Sequence, residues 1–583
     1  MSPKKPLDNL IKAALGRKKA SLVIKGARIF NSFLGGFRTG DVAVEDGRIA
    51  GIGNYNGIQE INARSQYLLP GFLDSHVHVE SSMTGPGEFA RALVAAGTTT
   101  VVADPHEIAN VAGTRGLDFF LEESTNVPLD IFLMLPTCVP ATNFEEGGAT
   151  LTASDLARYL GKPRVLGLAE LMNYPGVINQ DPGVMSKLAL ARERPWELRR
   201  VCLDGHAPGL MGKSLNAYAG SGIDTDHEAT TPGELTEKLS AGMFMLLREG
   251  TAAKNLLDLL PAVSHFNSRF CALATDDRHA VDLEDEGSIN HLVRIAMAAG
   301  AVGVPELINM ASINGARHYG LWDVGAIAPG YKADMALYRD LWSFRPSMVW
   351  KTGALVAKDG ECLLDHKSGF GESAKYIRDS VKLGDLRTED LQVRGTGTLR
   401  VIGVRNNSVE TDSLELRLPA KGGKTVSDPD QDVAKLAVYD RYRPGTKPAV
   451  GFIKGLGIRK GALSSTVSHD SHNLVIAGVS DKDMVVCAKR TVELEGGLVA
   501  ALDGKVVGEL ALPLGGLMSL MTLKETADGI RALMAAIRHL GFKKGADPFM
   551  TLAFMSLPVI PSLKLTSKGL VDVDRFERVQ LFL

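Results

Sequence analysis

Residues 69–78 read LPGFLDSHVH, an apolar run that closes on two histidines, and the same texture recurs along the chain. Seven further short runs end in polar residues in the same way: TTTVVADPHE (98–107), IFLMLPT (131–137), RVLGLAE (164–170), VCLDGHA (201–207), GIDTDHE (222–228), MFMLLREG (243–250) and FCALATDD (270–277). Helical stretches separate the runs, and parallel strands need such crossovers. Eight strand–helix units across residues 71–324 therefore predict an α/β fold of the (β/α)8, TIM-like barrel class.

Short strands with tight turns flank the predicted barrel. Residues 1–70 carry alternating apolar runs with Gly-Asp and Asp-Gly turns, and residues 325–365 return to that pattern. We expect the two flanks to pair in a small composite β-sandwich into which the barrel is inserted. Residues 366–394 are polar and are interpreted as a linker. Residues 395–583 predict a β-rich α+β C-terminal domain with a late helix.

Composition indicates a globular protein of about two or three domains. The chain has 583 residues, 45% of them hydrophobic, and a net charge of -2 from 65 basic and 67 acidic residues. So balanced a charge gives no electrostatic basis for binding nucleic acid or an anionic membrane. The five cysteines lack paired spacing, and residues 1–20 lack the pattern of a signal peptide. These features predict a cytoplasmic protein with reduced thiols.

Residues with metal-binding side chains close five of the runs. They are His76, His78, Glu170, His206, His227 and Asp276. Because the C-terminal ends of barrel strands meet at one rim, these side chains are expected to converge. His-x-His on a strand puts both rings on the same face. A mixed set of imidazole and carboxylate donors suits Zn, Mn or Fe.

Six ligands are more than one tetrahedral ion uses, so we predict two divalent ions bridged by Glu170. Two such ions share and activate one water, and Asp276 beside that water would take its proton and pass it on. Glu170 and Asp276 are therefore the predicted catalytic carboxylates. Each residue alone has a simpler interpretation, since strand histidines are often structural and Asp276 would also serve as a helix cap. The order of all six along the runs favours a metal centre.

The order of these ligands, the opening LPGFLDSHVH and the later GAIAPGYKADMALY (325–338) resemble the amidohydrolase superfamily. The resemblance covers roughly residues 20–365 and implies hydrolysis of C–N and similar bonds with one or two metal ions. Many members bridge their metals with a carboxylated lysine on strand four, where this chain has Glu170. No carbamate is therefore expected, which speaks against the dihydroorotase and hydantoinase branches.

A narrower resemblance extends over the whole chain. ESSM (80–83), DPHEIANV (104–111), GLAELMN (167–173), DGHAPG (204–209), TDHE (225–228) and SHDSHN (468–473) together resemble the adenine deaminase family. The resemblance implies hydrolysis of adenine to hypoxanthine and ammonia at a binuclear centre, with Mn or Fe as the productive metals and Zn as a further candidate. A metal-bound hydroxide would attack C6, and Asp276 would protonate the leaving ammonia.

Recognition of a purine edge needs hydrogen-bonding groups at fixed positions. Asp104 and Glu107, at the end of the second run, are our candidates for substrate binding, and Ser82 in ESSM is a third. Asp104 has an alternative role as the N-cap of the next helix. His106, between them, is interpreted as a packing residue or as one that supports a metal ligand.

The C-terminal motif SHDSHN is harder to interpret. His469, Asp470 and His472 would form an extra metal site or a lid that reaches the barrel mouth, or they would lie in a polar turn. Two further carboxylates, Asp204 and Glu80, are candidates for orienting a ligating histidine, as carboxylates around metal sites commonly do.

Several alternatives stay open from sequence alone. Another Glu-bridged hydrolase, acting on a different amino-purine or resembling N-acetylglucosamine-6-phosphate deacetylase, would need its own substrate contacts. A non-catalytic scaffold would have lost ligands, and a deaminase acting on nucleic acid would need a basic groove. The apolar run LALPLGGLMSLM (510–521) is interpreted as a cover for the barrel mouth or as a dimer face, so a homo-oligomer is expected.

Overall fold

The computed structural model describes residues 4–192, 201–364, 370–405, 408–543 and 547–583. The described chain begins with one helix and five strands: α1 (Lys4–Ala14), β1 (Ala20–Asn31), β2 (Gly36–Glu45), β3 (Arg48–Gly53), β4 (Gly57–Asn62) and β5 (Tyr67–Pro70). β1 pairs antiparallel with β2, and β2 with β3. Asp46 and Gly47 join β2 to β3 with positive φ angles of 48° and 77°, the backbone that an Asp-Gly hairpin turn requires.

Each of the eight predicted runs contains a strand. They are β6 (Phe72–His78), β7 (Thr98–Ala103), β8 (Asp130–Leu135), β9 (Val165–Leu171), β10 (Cys202–Gly205), β11 (Thr225–Asp226), β12 (Phe244–Arg248) and β13 (Cys271–Ala274), followed by the two-residue β14 (Asp276–Asp277). Every residue of β6, β7 and β9 is buried. Parallel strands covered on both faces show this burial, which explains why the runs are continuously apolar.

Helices connect these strands and surround them. They are α2 (Pro86–Ala95), α3 (His106–Ala112), α4 (Thr114–Glu123), α5 (Ala153–Ala157), α6 (Tyr174–Ile178), α7 (Pro182–Arg192), α8 (Gly212–Gly220), α9 (Pro232–Ser240), α10 (Leu256–Leu259), α11 (Ala280–Asp285), α12 (Ile289–Ala299), α13 (Val304–Met310) and α14 (Ile313–His318). The alternation of parallel strands and helices gives the predicted TIM-like α/β domain.

Backbone hydrogen bonds close the strands into a ring. Parallel ladders run from β10 back to β6 and from β11 to β13. Between β10 and β11, the Asp224 amide donates to the Leu203 carbonyl at 3.0 Å. β14 continues β13 and pairs in parallel with β6, with Asp276 opposite Val77. All eight strands therefore present their C-terminal ends at one rim.

The chain leaves the barrel through four strands, β15 (Met335–Tyr338), β16 (Pro346–Lys351), β17 (Ala354–Lys358) and β18 (Glu361–Cys362). β15 pairs antiparallel with β5, so the strands before and after the barrel form one nine-stranded sheet. In this sheet β1 pairs with β2 on one side, and with β4 and then β5 on the other. The division of this sheet into the two layers of a sandwich stays a prediction.

The C-terminal residues form a sheet with helices packed on it. The strands are β19 (Val393–Arg394), β20 (Thr398–Val404), β21 (Thr411–Arg417), β22 (Ala420–Lys421), β23 (Lys424–Thr425), β24 (Val433–Tyr439), β25 (Ala449–Lys454), β26 (Ala462–Ser465), β27 (Leu474–Gly478), β28 (Gly497–Leu502), β29 (Lys505–Ala511), β30 (Leu563–Thr566), β31 (Gly569–Asp572) and β32 (Glu577–Val579). The helices are α15 (Asp481–Glu493), α16 (Leu523–Ala536) and α17 (Pro548–Ala553). Eight of these strands share one sheet in the order β21-β20-β25-β24-β27-β26-β28-β29.

The segment between the two domains is packed against both. Residues 366–369 of the predicted linker lie outside the described residues. Beyond them, Ala374 and Ile377 join the apolar core of the barrel, and Leu391 joins the core of the C-terminal sheet. The described part of this segment therefore contributes to the cores on both sides.

The C-terminal domain covers the end of the barrel that carries the strand termini. Leu514, Leu517 and Met518 belong to the same buried cluster as the barrel core. The Ser519 amide donates to the Met83 carbonyl, just after β6, at 2.8 Å. In the described part of the chain, no helix combines the length and the apolar character needed to cross a membrane.

Candidate metal centre and its surroundings

The six predicted ligands meet at the rim of the barrel. His76 and His78 lie at the end of β6, Glu170 lies at the end of β9, His206 and His227 directly follow β10 and β11, and Asp276 lies in β14. All but His206 are buried, with 1–5% of their surface exposed. A continuous fold thus brings together side chains that are up to 200 positions apart in the sequence.

Glu170 lies at the middle of this cluster, and its two oxygens face different partners. Its Oε1 is 3.4 Å from His78 Nε2 and 3.9 Å from His76 Nε2. Its Oε2 is 2.6 Å from His206 Nδ1 and 3.3 Å from His227 Nε2. A carboxylate placed between two pairs of imidazoles has the arrangement of a bridging ligand.

Asp276 completes one side of the cluster. Its Oδ1 is 3.1 Å from His78 Nε2 and 3.5 Å from His76 Nε2. Its Oδ2 accepts a hydrogen bond from Arg248 at 2.9 Å. The residue has a φ of 56°, which non-glycine residues rarely adopt and which tends to occur at functional sites.

The site is electrostatically suited to cations. Burial opposes ionisation of Glu170, but the charge and hydrogen bond of His206 outweigh it, so the pKa of Glu170 lies well below its usual range. Burial likewise opposes ionisation of Asp276, yet the neighbouring rings of His76 and His78 and the charge of Arg248 keep its pKa well below normal. Both carboxylates are therefore anionic at neutral pH.

An unpaired buried nitrogen indicates that this donor set fits a metal. His76 Nε2, which faces Glu170 and Asp276, is buried without a hydrogen-bond partner among the described residues. Leaving such polar atoms unpaired is costly unless another group binds them. The subsets His76–His78–Asp276 and His76–Glu170–His227 each bring three ligand atoms within 4.8 Å of one another. Imidazole and carboxylate donors at this spacing suit Zn, Mn or Fe.

Backbone and buried charges hold the histidines in place. The Asp104 carbonyl lies 3.0 Å from His78 Nδ1 and directs the other ring nitrogen into the cluster. Lys238 of α9 is fully buried, and its Nζ donates to Asp226 at 2.7 Å and to the Ala207 carbonyl at 2.7 Å. Asp226 in turn accepts from the Ala207 amide at 2.9 Å. This network joins the two turns that carry His206 and His227.

Asp204 and Glu80 do not have the supporting role expected for them. Asp204 accepts hydrogen bonds from Tyr319 and Thr225. Glu80 Oε1 accepts the amide of Ile108 at 3.1 Å. Burial, together with the charge of Glu107, raises the pKa of Glu80 to about 8. The ring of His78 is instead oriented by a backbone carbonyl, which no sequence pattern reveals.

Arg248 and Glu228 form a buried pair beside the centre. Arg248 donates through both terminal nitrogens to the carboxylate of Glu228, with Nη2–Oε2 at 2.9 Å, and also donates to Asp276. Glu228 Oε1 lies 3.4 Å from His227 Nε2. The sequence assigned no role to Arg248 and did not single out Glu228. Its position directly after His227 was the available signal.

The three predicted substrate-binding residues have different surroundings. Asp104 does not cap α3; its Oδ2 lies 3.1 Å from His106 Nδ1. Glu107 is buried next to the other side of the same ring, with Oε1 3.5 Å from His106 Nε2. The Ser82 hydroxyl donates within its own turn, to the Val79 carbonyl at 2.6 Å.

His106 contacts one of the predicted metal ligands, which a packing role does not require. Its Nδ1 is 3.4 Å from Glu170 Oε1, and His78, Asp104, His106 and Glu170 form a further group that can hold an ion. Cys138 is buried and groups with His106 and Asp470. Burial raises the pKa of the Cys138 thiol, so it is protonated at neutral pH.

The SHDSHN motif lies against the barrel residues of the site. His469 Nδ1 is 3.1 Å from Glu107 Oε1, and His472 Nε2 is 3.6 Å from Glu107 Oε2. Asp470 Oδ1 is 3.8 Å from His106 Nε2. All three motif residues are buried. The C-terminal domain therefore contributes side chains to the surroundings of the metal centre.

A barrel with histidines and carboxylates at its C-terminal rim is typical of metal-dependent hydrolases, and the amidohydrolase class shares this arrangement. The sequence profile of the amidohydrolase family matches residues 67–356, and that of the adenine deaminase C-terminal domain matches residues 408–577. "Adenine deaminase 2" of Carboxydothermus hydrogenoformans is 49% identical over 99% of this chain and 100% of its own length. The adenine deaminase of Kosmotoga olearia is 42% identical over 99% of both chains. The chain belongs to the adenine deaminase family.

A solved structure with a similar fold is the β-aspartyl dipeptidase of Fervidobacterium islandicum AW-1. It is 18% identical, with a TM-score of 0.45, and the match covers 59% of this chain and 99% of that one.

Proposed function

We propose that this chain hydrolyses adenine to hypoxanthine and ammonia. The observation that carries the proposal is the cluster of four histidines around Glu170 and Asp276, in a chain whose relatives along its full length are named adenine deaminases. Hydrolytic removal of an amine from an aromatic ring needs an activated water and a proton for the leaving nitrogen. The residues at the rim are suited to both tasks.

The proposed cofactor is a pair of divalent ions, with Mn or Fe preferred and Zn as a further candidate. His76, His78 and Asp276 would hold one ion, His206 and His227 the other, and Glu170 would bridge the two. Two ions bound together lower the pKa of a shared water and polarise the bond that is attacked. The cost of keeping six polar side chains in a buried cluster is offset when cations occupy it.

Asp276 is the proposed proton carrier. Its carboxylate contacts the predicted metal ligand His78 and is kept ionised by Arg248. It can therefore accept a proton from the attacking water. It would then donate that proton to the leaving amine, since ammonia leaves poorly unless the nitrogen is protonated. Arg248 keeps the carboxylate oriented through its second bond to Glu228.

Glu107, Asp104 and Ser82 are proposed to bind the purine edge. Glu107 presents a buried carboxylate on the far side of His106 from Glu170. A carboxylate there accepts a hydrogen bond from a ring N–H of a free base. For Ser82, this role requires its hydroxyl to leave the bond to Val79.

The test is the conversion of adenine by purified chain loaded with Mn, followed by ultraviolet absorbance and by ammonia release. Conversion that a chelator abolishes would support reaction, substrate and cofactor together. Folded, metal-loaded protein that leaves adenine unchanged would refute the substrate assignment. Other amino-purines and N-acetylglucosamine 6-phosphate, assayed in parallel, would then identify the competing activity.

A further inference from the structure

Two histidines of the C-terminal domain enclose the carboxylate of Glu107. His469 Nδ1 faces Oε1 at 3.1 Å, and His472 Nε2 faces Oε2 at 3.6 Å. Glu107 is 2% exposed, His469 6% and His472 0%. Each carboxylate oxygen therefore has one imidazole beside it, the closer being that of His469, in a place closed to bulk water.

The hydrogen bond of Ser468 fixes the tautomer of His472. The Ser468 amide donates to His472 Nδ1 at 3.1 Å, so this nitrogen carries a lone pair. On a neutral imidazole with an accepting Nδ1, the hydrogen is on Nε2. That N–H is buried without a hydrogen-bond partner among the described residues, and it lies 3.6 Å from Glu107 Oε2. The same ring cannot offer a lone pair at Nε2, which argues against a metal ion held by Glu107, His469 and His472.

The other ring is fixed by packing. His469 stacks on Phe554, with ring centroids 4.7 Å apart and an angle of 24° between planes. Its backbone amide donates to the Ala553 carbonyl at 2.8 Å. The loop is also tied to the barrel, because the Asn473 side chain donates to the Glu146 carbonyl at 2.7 Å. Both rings thus have a fixed place relative to Glu107.

One imidazole separates this arrangement from the metal centre. His106 Nδ1 lies 3.4 Å from Glu170 Oε1, and its Nε2 lies 3.5 Å from Glu107 Oε1. The carboxylates of Glu170 and Glu107 therefore lie on opposite sides of the His106 ring, each within 3.5 Å of one of its nitrogens. A planar base that lies alongside the His106 ring, with its reacting edge at Glu170, has the length to reach Glu107 with its opposite edge.

We propose that His469 and His472 are positioning residues that hold Glu107 in the orientation needed to bind the substrate base. This inference rests on the adenine deamination proposed above. It assigns the C-terminal domain a function in the reaction, because the barrel residue that contacts the base is oriented by residues from the other domain. The alternative of an additional metal site stays a prediction, since Glu107, His469 and His472 bring three ligand atoms within 4.8 Å of one another.

Side-chain amides allow a crossed test. Asn places an N–H near the position of a histidine Nδ1, and Gln places one near Nε2. His469→Asn and His472→Gln therefore keep the donor to Glu107, whereas His469→Gln and His472→Asn displace it. We expect each displacing variant to have a kcat/KM for adenine about 10- to 100-fold below that of the retaining variant at the same position.

The split between constants identifies positioning. The loss is expected mainly in KM, with Mn content equal in both members of each pair. If Asn and Gln behaved alike at both positions, or in the reverse order, the inference would be overturned, since a structural role responds to size and polarity and not to donor position. Unmodified chain is assayed first, so inactivity on adenine is recognised as failure of the proposed function.

A crystal of the Mn-loaded chain gives a readout that does not depend on turnover. Anomalous scattering from manganese is expected around Glu170 and not between His469 and His472. A manganese peak at the latter position would overturn the hydrogen-bonding arrangement whatever the kinetics show.

Discussion

At the scale of single residues, Asp276 combines a positive φ angle with a carboxylate that contacts two histidines and an arginine. Its φ of 56° turns the carboxylate toward His76 and His78, and Arg248 binds the other oxygen. A conformation of this kind costs free energy and persists only where the surroundings enforce it. The proposed proton transfer gives a reason for that cost.

Asp276→Asn should lower kcat for adenine by about 10²- to 10⁴-fold, because an amide cannot accept and return the proton. Metal content, measured by elemental analysis, should stay close to that of the unmodified chain. The exposed Asp258→Asn serves as a matched control. Activity within about tenfold of the unmodified chain would show that another group carries the proton.

His76→Ala should lower metal content, because this ring contributes to two of the three-ligand groups. Elemental analysis after dialysis against a weak chelator measures the effect, with the exposed His539→Ala as the control. Full metal stoichiometry in the His76 variant would remove this residue from the ligand set.

The positions of the six ligands could be anticipated because strand ends of a barrel share one rim. The sequence could not show which groups orient them. A backbone carbonyl holds the ring of His78, and Arg248 of β12 binds Asp276. The sequence pattern of β12 indicates where that strand ends but not which residue its arginine contacts. Such contacts depend on the distance between elements, which no local pattern records. The ligand roles themselves stay predictions.

At the scale of elements, the first turns of the helices show which capping contacts the local sequence predicts. Thr231 caps α9 and Pro232 occupies its first turn, as their order predicts. Glu234 does not close a capping box there; it accepts from the Thr230 amide and from Lys238. In the tertiary structure a buried lysine competes successfully for the capping carboxylate.

The start of α5 offers several residues of capping type. Thr152 is the cap and forms a capping box with Asp155, although Ser154 lies between them. Several hydroxyl and carboxyl residues in a row allow more than one cap. Backbone direction decides among them, so boundaries are less predictable than the existence of the helix.

Lys238→Met should destabilise the chain by about 3–5 kcal/mol, because it leaves Asp226 buried without its charged partner. Since Asp226 also binds the turn after His206, metal content should fall as well. Chemical denaturation and elemental analysis measure the two effects. Lys524→Met, at an exposed side chain, is the control and should change stability by less than about 0.5 kcal/mol. Equal stability of the two variants would contradict the role given to Lys238.

At the scale of the whole molecule, the two domains share a core and a site. Leu514 and Met518 pack in the barrel core, and His469 and His472 contact Glu107. The sequence indicates that the last third of the chain is β-rich, and it contains the histidine motif. It could not place the motif at the barrel mouth, because sequence separation says nothing about contacts between domains. The predicted homo-oligomer is untested.

A buried lysine in the C-terminal domain should make the free energy of unfolding depend on pH above neutrality. Burial lowers the pKa of Lys564 in β30 to about 7 from its usual 10.5. Between these values the unfolded chain binds a proton here that the folded chain does not, so this residue's contribution to stability rises with pH across the window.

Lys564→Met should flatten that dependence. The melting temperature of the unmodified chain should rise more between pH 7 and pH 9 than that of the variant, in scanning fluorimetry at matched ionic strength. Equal slopes, or a steeper slope in the variant, would show that Lys564 is charged in the folded protein.

The most direct measurement is a titration of chelated, metal-free chain with Mn, followed by ammonia release from adenine. Two bridged ions predict activity that rises with added Mn and stops rising at two equivalents per chain. Saturation at one equivalent would contradict the bridged pair. Undiminished activity before any Mn is added would contradict a metal-dependent reaction at the cluster around Glu170.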